Sequence, residues 1–167
     1  MFYGWETATI RDANGLTPRD YYDRLKKVWS ADTCAPRMRQ DWSPENPTLG
    51  QCSITAFLMQ DIYGGKVLGV PLGDGNFHCF NAVGDCVFDL TSEQFQGIPL
   101  NYTDYPEQSR ETHFAKEEKR QRYELLKQRL LNDDEQIDLV AKRLLEEYRP
   151  AFLKLANDDS SNDSYCS

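Results

Sequence analysis

The sequence predicts an α+β fold: a small antiparallel sheet packed on a helix that carries a cysteine at its N-terminus, with additional N- and C-terminal helices. Three observations predict it. Gly50-Gln51-Cys52-Ser53-Ile54-Thr55-Ala56 leads from a proline-punctuated loop into an apolar helical stretch. Two strand-patterned runs, Asn76 to Val83 and Cys86 to Leu90, flank Gly84-Asp85, a two-residue hairpin signature. From Phe114 onward, apolar residues recur at helical spacing among Lys, Arg, Glu and Gln.

Each element follows in order. Residues 1–16 read as an irregular or extended lead. Thr17-Pro18-Arg19-Asp20 starts a helix, with threonine as N-cap, proline in the first turn and an acid three residues on. Tyr21, Tyr22, Leu25, Val28 and Trp29 form its buried stripe. Pro36, Pro44 and Pro47 mark residues 30–50 as an ordered loop, with Trp42 as its anchor. A helix from about Gln51 to Tyr63 presents Ile54, Phe57, Leu58 and Ile62 on one side and ends at Gly64-Gly65. Lys66 to Val70 has strand character, and Gly73-Asp74-Gly75 is a turn before the hairpin. Thr91-Ser92-Glu93-Gln94 reads as a capping box opening a short helix.

Two amphipathic helices are expected beyond Phe114. One carries Tyr123, Leu125, Leu126, Leu130 and Leu131; the other carries Ile137, Val140, Leu144, Leu145 and Tyr148. Asn132-Asp133-Asp134 breaks them apart, and Pro150 interrupts the second. The organisation is a single α+β domain over 1–156, with a core of about 17–100 and a helical part of about 114–156. Residues 157–167 read as a disordered acidic tail.

The 167 residues carry a formal charge of −8, which argues against nucleic acid as a partner. No apolar run approaches the roughly 18 residues of a membrane span, so no membrane partner is expected. No basic-then-apolar leader is visible, which makes the expected location cytoplasmic. The five cysteines, Cys34, Cys52, Cys79, Cys86 and Cys166, include no C-x-x-C pair. A zinc site therefore has no framework, and no metal or organic cofactor is implied.

Cys52 at a helix start sits in the positive end of the helix dipole, which favours its thiolate. His78 lies on the first hairpin strand and Asp89 on the second. With Gly84-Asp85 as the turn, Val83 faces Cys86, and His78, Phe80, Ala82, Val87, Asp89 and Thr91 share a face. Asp89 becomes a diagonal neighbour of His78, while Asn81 points the other way. That is the arrangement of a nucleophile, a general base and its orienter. Singly, each residue has a plainer reading: a buried thiol, a structural histidine, a capping aspartate. Jointly they fall on the elements that thiol chemistry needs. An oxyanion would be met by the amides of Cys52 or Ser53. Gln51 and Asn46 are candidates for a further donor, and Trp42 for the cleft wall.

Elsewhere, His113 reads as exposed and structural, and Cys79, Cys86 and Cys34 as core residues. The charged run 116–129 reads as a solvated helix face. A redox thiol at Cys52 would need a resolving cysteine, for which Cys34 is the upstream candidate.

Several motifs together resemble the YunG-like family of uncharacterised bacterial proteins. They are Trp29-Ser30-x-x-Thr33, Trp42-Ser43-Pro44-x-Asn46-Pro47, Gly50-Gln51-Cys52-x-x-Thr55-Ala56, Asp61-x-x-Gly64-Gly65, His78-x-x-Asn81 and Asp89-Leu90-Thr91-x-x-Gln94-Phe95. A more distant similarity is to the transglutaminase-like and NlpC/P60-like branches of the papain-like superfamily. That resemblance implies Cys52 as nucleophile, His78 as base and acid, and Asp89 as orienter. Asn46, six residues before Cys52, falls at about the offset of the oxyanion-hole glutamine in papain-like enzymes. The expected activity is amide hydrolysis or acyl transfer on a peptide or amide substrate. The alternative is an inactive domain of the same fold that binds a protein partner through its C-terminal helices.

Overall fold

Thr17 accepts a hydrogen bond from the Asp20 amide and Asp20 reaches back to the Thr17 amide, so the first helix, α1 (Pro18–Val28), opens on a complete capping box. Tyr21, Tyr22 and Leu25 bury its apolar stripe. A computed structural model describes residues 1–73, 75–103 and 105–160; Asp74 of the expected turn and residues 161–167 of the expected tail lie outside them. The chain forms two units, Met1–Leu130 and Leu131–Ser167.

In the first unit, α2 (Cys52–Tyr63) follows the loop, then β1 (Lys66–Pro71), β2 (Phe77–Val83) and β3 (Cys86–Phe88) form an antiparallel sheet in the order β1-β2-β3. Val83 pairs with Cys86, Ala82 with Val87 and Asn81 with Phe88, the register that a Gly84-Asp85 turn dictates. The third strand ends at Phe88 instead of Leu90. Asp89 pairs instead with Tyr3, whose carbonyl accepts the Asp89 amide at 3.0 Å. Residues 1–16 are irregular, as expected, yet tied to the sheet, and Phe2 is in the core.

Every residue from Ser53 to Met59 is buried, so α2 is the central element and not a helix with one wet face. Asn81 ties β2 to one side of it, donating to the Ala56 carbonyl at 2.8 Å. Trp29 donates to the Thr55 hydroxyl at 3.1 Å from α1. Short α3 (Arg110–Phe114) leads into α4 (Glu117–Ser160), whose Tyr123, Leu126 and Leu130 complete the core.

Three local expectations are corrected. Helix α4 is continuous through Asn132-Asp133-Asp134 and residue 150 and reaches Ser160, so 157–160 are helical. Asn and Asp cost only about 0.7 kcal/mol each against alanine inside a helix, too little to enforce a break. The Thr91 capping box does not form: Ser92–Phe95 is a 3₁₀ turn, because the Thr91 hydroxyl donates to Asp89 instead. Nor is 116–129 simply a solvated face, since Arg122, Tyr123 and Leu126 are buried. The described part of the second unit is the distal stretch of α4, where Leu131, Leu144, Leu145 and Tyr148 are exposed. Among the described residues no helix is long and apolar enough to cross a membrane.

Candidate active site

Gly50 delivers Cys52 to its position. Its φ of +68° is left-handed, and a Cβ there would meet the Cys34 sulfur at 2.6 Å and the Ala35 amide at 2.9 Å. The loop closes through the Ala35 amide, which donates to the Gly50 carbonyl at 3.0 Å. Cys52 is then the first residue of α2, and Gln51 makes no side-chain cap. The first amides of α2 have no partner within the helix, and the space in front of the thiol lies at that end.

That space is a cleft of about 780 Å³. Cys52, Ser53 and His78 line it, with Gln94 and Phe95 beside them and His113 and Lys119 from the α3–α4 junction. Cys52 is partly exposed, whereas His78 and Asp89 are buried. His78 Nε2 lies 2.5 Å from Asp89 Oδ2. The other Asp89 oxygen accepts from the Thr91 amide and hydroxyl, each at 2.9 Å, and the Tyr102 hydroxyl donates to Oδ2 at 2.9 Å. Four bonds thus fix the carboxylate, and the ring edge of Phe95, with centroids 4.7 Å apart, braces the imidazole.

Charge follows geometry. Burial alone would lower the His78 pKa, but the Asp89 charge and hydrogen bond, joined by Cys52, push it up to about 10. Cys52 moves the opposite way, well below the usual thiol range. A hydrogen bond from the Cys79 thiol contributes most; burial opposes it, and the hydrogen bond and positive charge of His78 add to it. Cys79 is correspondingly raised, so it stays a neutral donor. Both shifts run in the direction that favours a thiolate beside an imidazolium. His78 Nδ1 has a second claimant: Gln94 Nε2 lies 3.1 Å away and also donates to the Thr91 carbonyl at 3.0 Å. An amide N–H can bond only to an unprotonated Nδ1, so Gln94 favours the neutral ring and Cys52 the cation.

The other expected residues are placed elsewhere. Gln51 is fully buried and donates to the Ser30 carbonyl at 3.1 Å, pinning the loop. Trp42 donates to the Pro47 carbonyl at 3.1 Å within that loop. Asn46 accepts from the Thr48 hydroxyl at 3.4 Å and borders a different depression, with Tyr22 and Lys26. None of these three lines the Cys52 cleft. Ser53 does.

His113 is not an exposed structural residue but a half-buried part of the cleft wall. Its Nδ1 accepts from Lys119 Nζ at 3.0 Å, and its Nε2 donates to Gln108 Oε1 at 3.2 Å. Burial and the Lys119 charge push it down to about 4, so it is neutral at pH 7. Gln108 folds over β1 where Gly69 leaves room; a Cβ there would meet the amide at 2.5 Å. Sequence reasoning does not reach Cys79, Gln94, Tyr102 or Lys119 as parts of the site. The Thr91-x-x-Gln94 spacing is the one available signal, and a cap is its plainer reading.

A model of the YunG protein family matches residues 17–135. The chain belongs to the YunG protein family. One relative, the protein from Bacillus subtilis (strain 168) titled "Uncharacterized protein YunG", is 38% identical over 90 residues, covering 54% of this chain and 71% of that protein. No solved structure matches. The YunG match spans Cys52, His78, Asp89, Gln94 and Lys119, so the whole cleft falls within the family region. Among the described residues no cluster of metal-ligating side chains occurs.

Proposed function

We propose that this YunG-family chain is a cysteine-dependent amide hydrolase or acyl transferase. The observation that carries the reading is the buried His78–Asp89 pair, 2.5 Å apart, whose His78 lines the same cleft as a helix-start thiol. The Cys52 thiolate attacks the substrate carbonyl. Negative charge develops on the carbonyl oxygen and is met by the Cys52 and Ser53 amides. The His78 imidazolium protonates the leaving amine as the tetrahedral adduct collapses to a thioester. Neutral His78 then takes a proton from water or a second amine as it attacks the thioester, and Cys52 leaves as the thiolate, which restores the starting pair. Asp89 acts by orienting the ring and supporting its charge. The order of helix cysteine, strand histidine and a polar residue after it resembles that of the transglutaminase-like and NlpC/P60-like branches of the papain-like superfamily.

A library of peptide and isopeptide amides, read by mass spectrometry with and without an added amine, tests this proposal. Wild type is expected to cleave or transfer at least one library member, Cys52→Ala none, and Asp89→Asn at a rate lower by about 100-fold or more. Turnover that survives in Cys52→Ala would overturn the reading. A second reading, a module that binds a protein through its C-terminal helix, is favoured by exposed Leu131, Leu144, Leu145 and Tyr148 on α4. Under that reading Asp89→Asn leaves the bound partner unchanged.

A further inference from the structure

The chain is acidic as a whole, with a charge of −8, yet the walls of its cleft are not. Arg37, Lys116, Lys119 and Arg122 line it against two carboxylates, Glu107 and Glu118. Both carboxylates are already engaged: Glu118 holds Arg122 at 2.9 Å, and Glu107 holds Lys66, which lies outside the cleft, at 3.3 Å. Arg122 is further committed to the Thr33 carbonyl at 3.1 Å. Arg37, Lys116 and Lys119 remain, and none of them has a carboxylate partner among the described residues.

These three cations come from separate segments. Arg37 lies on the 3₁₀ turn Pro36–Met38 and is exposed; Lys116 sits between α3 and α4 and is exposed. Lys119 is half-buried on the first turn of α4, its ammonium directed by neutral His113. A half-buried ammonium that meets a neutral imidazole and no carboxylate is incompletely compensated, because His113 accepts from one of its three N–H donors. The field of clustered like charges is focused inside a concave wall of lower dielectric. On a protein of opposite net charge such a cluster selects what enters.

We propose that the Cys52 cleft takes acyl donors bearing a carboxylate close to the scissile amide, an acidic side chain or a free C-terminus, held by Arg37, Lys116 and Lys119. This rests on the thiol-hydrolase reading for the chemistry and adds the substrate class. Lys119 binds the carboxylate nearest the thiol, and Arg37 and Lys116 form the outer cationic rim.

The test compares alkylation of Cys52 in the full chain by iodoacetate, an anion, and iodoacetamide, its neutral analogue, near pH 7 at low ionic strength. The His78 imidazolium by itself favours iodoacetate, so the decisive quantity is the change in the rate ratio between variants. Arg37→Ala/Lys116→Ala, two exposed positions away from the triad, is expected to lower the ratio by about tenfold. Lys119→Met is expected to lower it further. A ratio unmoved in both variants overturns the proposal.

If Cys52 is inert to both reagents, the thiolate reading fails, and a second measurement decides the cleft's preference. Fluorescence anisotropy compares a labelled hexaglutamate peptide with a labelled hexaserine peptide. Preference for hexaglutamate that is lost in the double variant supports carboxylate selection, and equal binding of the two peptides overturns it.

Discussion

At the residue scale the site turns on how few hydrogen bonds decide where a proton sits. Thr91 and Tyr102 occupy the remaining lone pairs of Asp89 and hold it against His78, whose pKa its charge and hydrogen bond push up. Asp89→Asn keeps the shape and removes the charge, and the pH at which Cys52 becomes alkylated is expected to move up toward the ordinary thiol value of about 8.5. Cys79 contributes in a way that needs no catalytic role: a hydrogen bond from its thiol is the largest cause holding the Cys52 pKa down. Cys79→Ala should raise the Cys52 pKa, and Cys79→Ser, which keeps a donor, should restore part of the fall. Identical iodoacetamide profiles for wild type and Cys79→Ala would remove Cys79 from the account. The triad partners are legible in the sequence because hairpin register is arithmetic once the turn is known. Cys79 and Lys119 are not, since their placement near Cys52 depends on how α2 and α4 settle against the sheet, which strand alternation and helical periodicity leave open.

At the element scale α2 and α4 divide the work. The first is buried along Ser53–Met59 and sets the thiol at the cleft; the second begins as a core helix and cleft wall and continues as an exposed helix. Leu126 is fully buried and Leu144 is 47% exposed. Leu126→Ala is expected to cost about 2–5 kcal/mol in urea unfolding, and Leu144→Ala within about 0.5 kcal/mol of nothing. Equal losses at the two positions would contradict this division. The Thr17 box and the Gly84-Asp85 hairpin are readable because side chain and backbone agree locally. The end of β3 is not, because the competing partner, Tyr3, is 86 positions away in the chain. The Thr91 box fails for the same kind of reason: a buried carboxylate takes the hydroxyl first.

At the scale of the whole molecule, the thiolate–imidazolium pair should be visible in stability. His78 is held at about 10 in the folded chain against an ordinary value of 6.5, so its stabilisation is complete below pH 6.5 and is lost as pH rises through 10. Cys52 is held below its unfolded value of about 8.5, so its stabilisation is complete above that pH and is lost as pH falls through the folded value. Between about pH 6.5 and 8.5 the folded pair keeps one proton on His78 and the unfolded pair keeps one on Cys52, so the two slopes cancel. Wild-type stability should be level there. In Cys52→Ser only the histidine slope remains, and stability should fall with pH by up to about 1.4 kcal/mol per unit. A level profile in Cys52→Ser would mean that Asp89 alone does not hold the imidazolium. The most direct test of the central claim is the rate of Cys52 alkylation by iodoacetamide against pH, in wild type and His78→Ala. Wild type at pH 6 is expected to react about tenfold faster than a free thiol, a full thiolate population offsetting the lower nucleophilicity of a low-pKa sulfur. His78→Ala is expected to abolish this advantage. A wild-type profile that rises only near pH 8.5, or one that His78→Ala leaves unchanged, would contradict that claim.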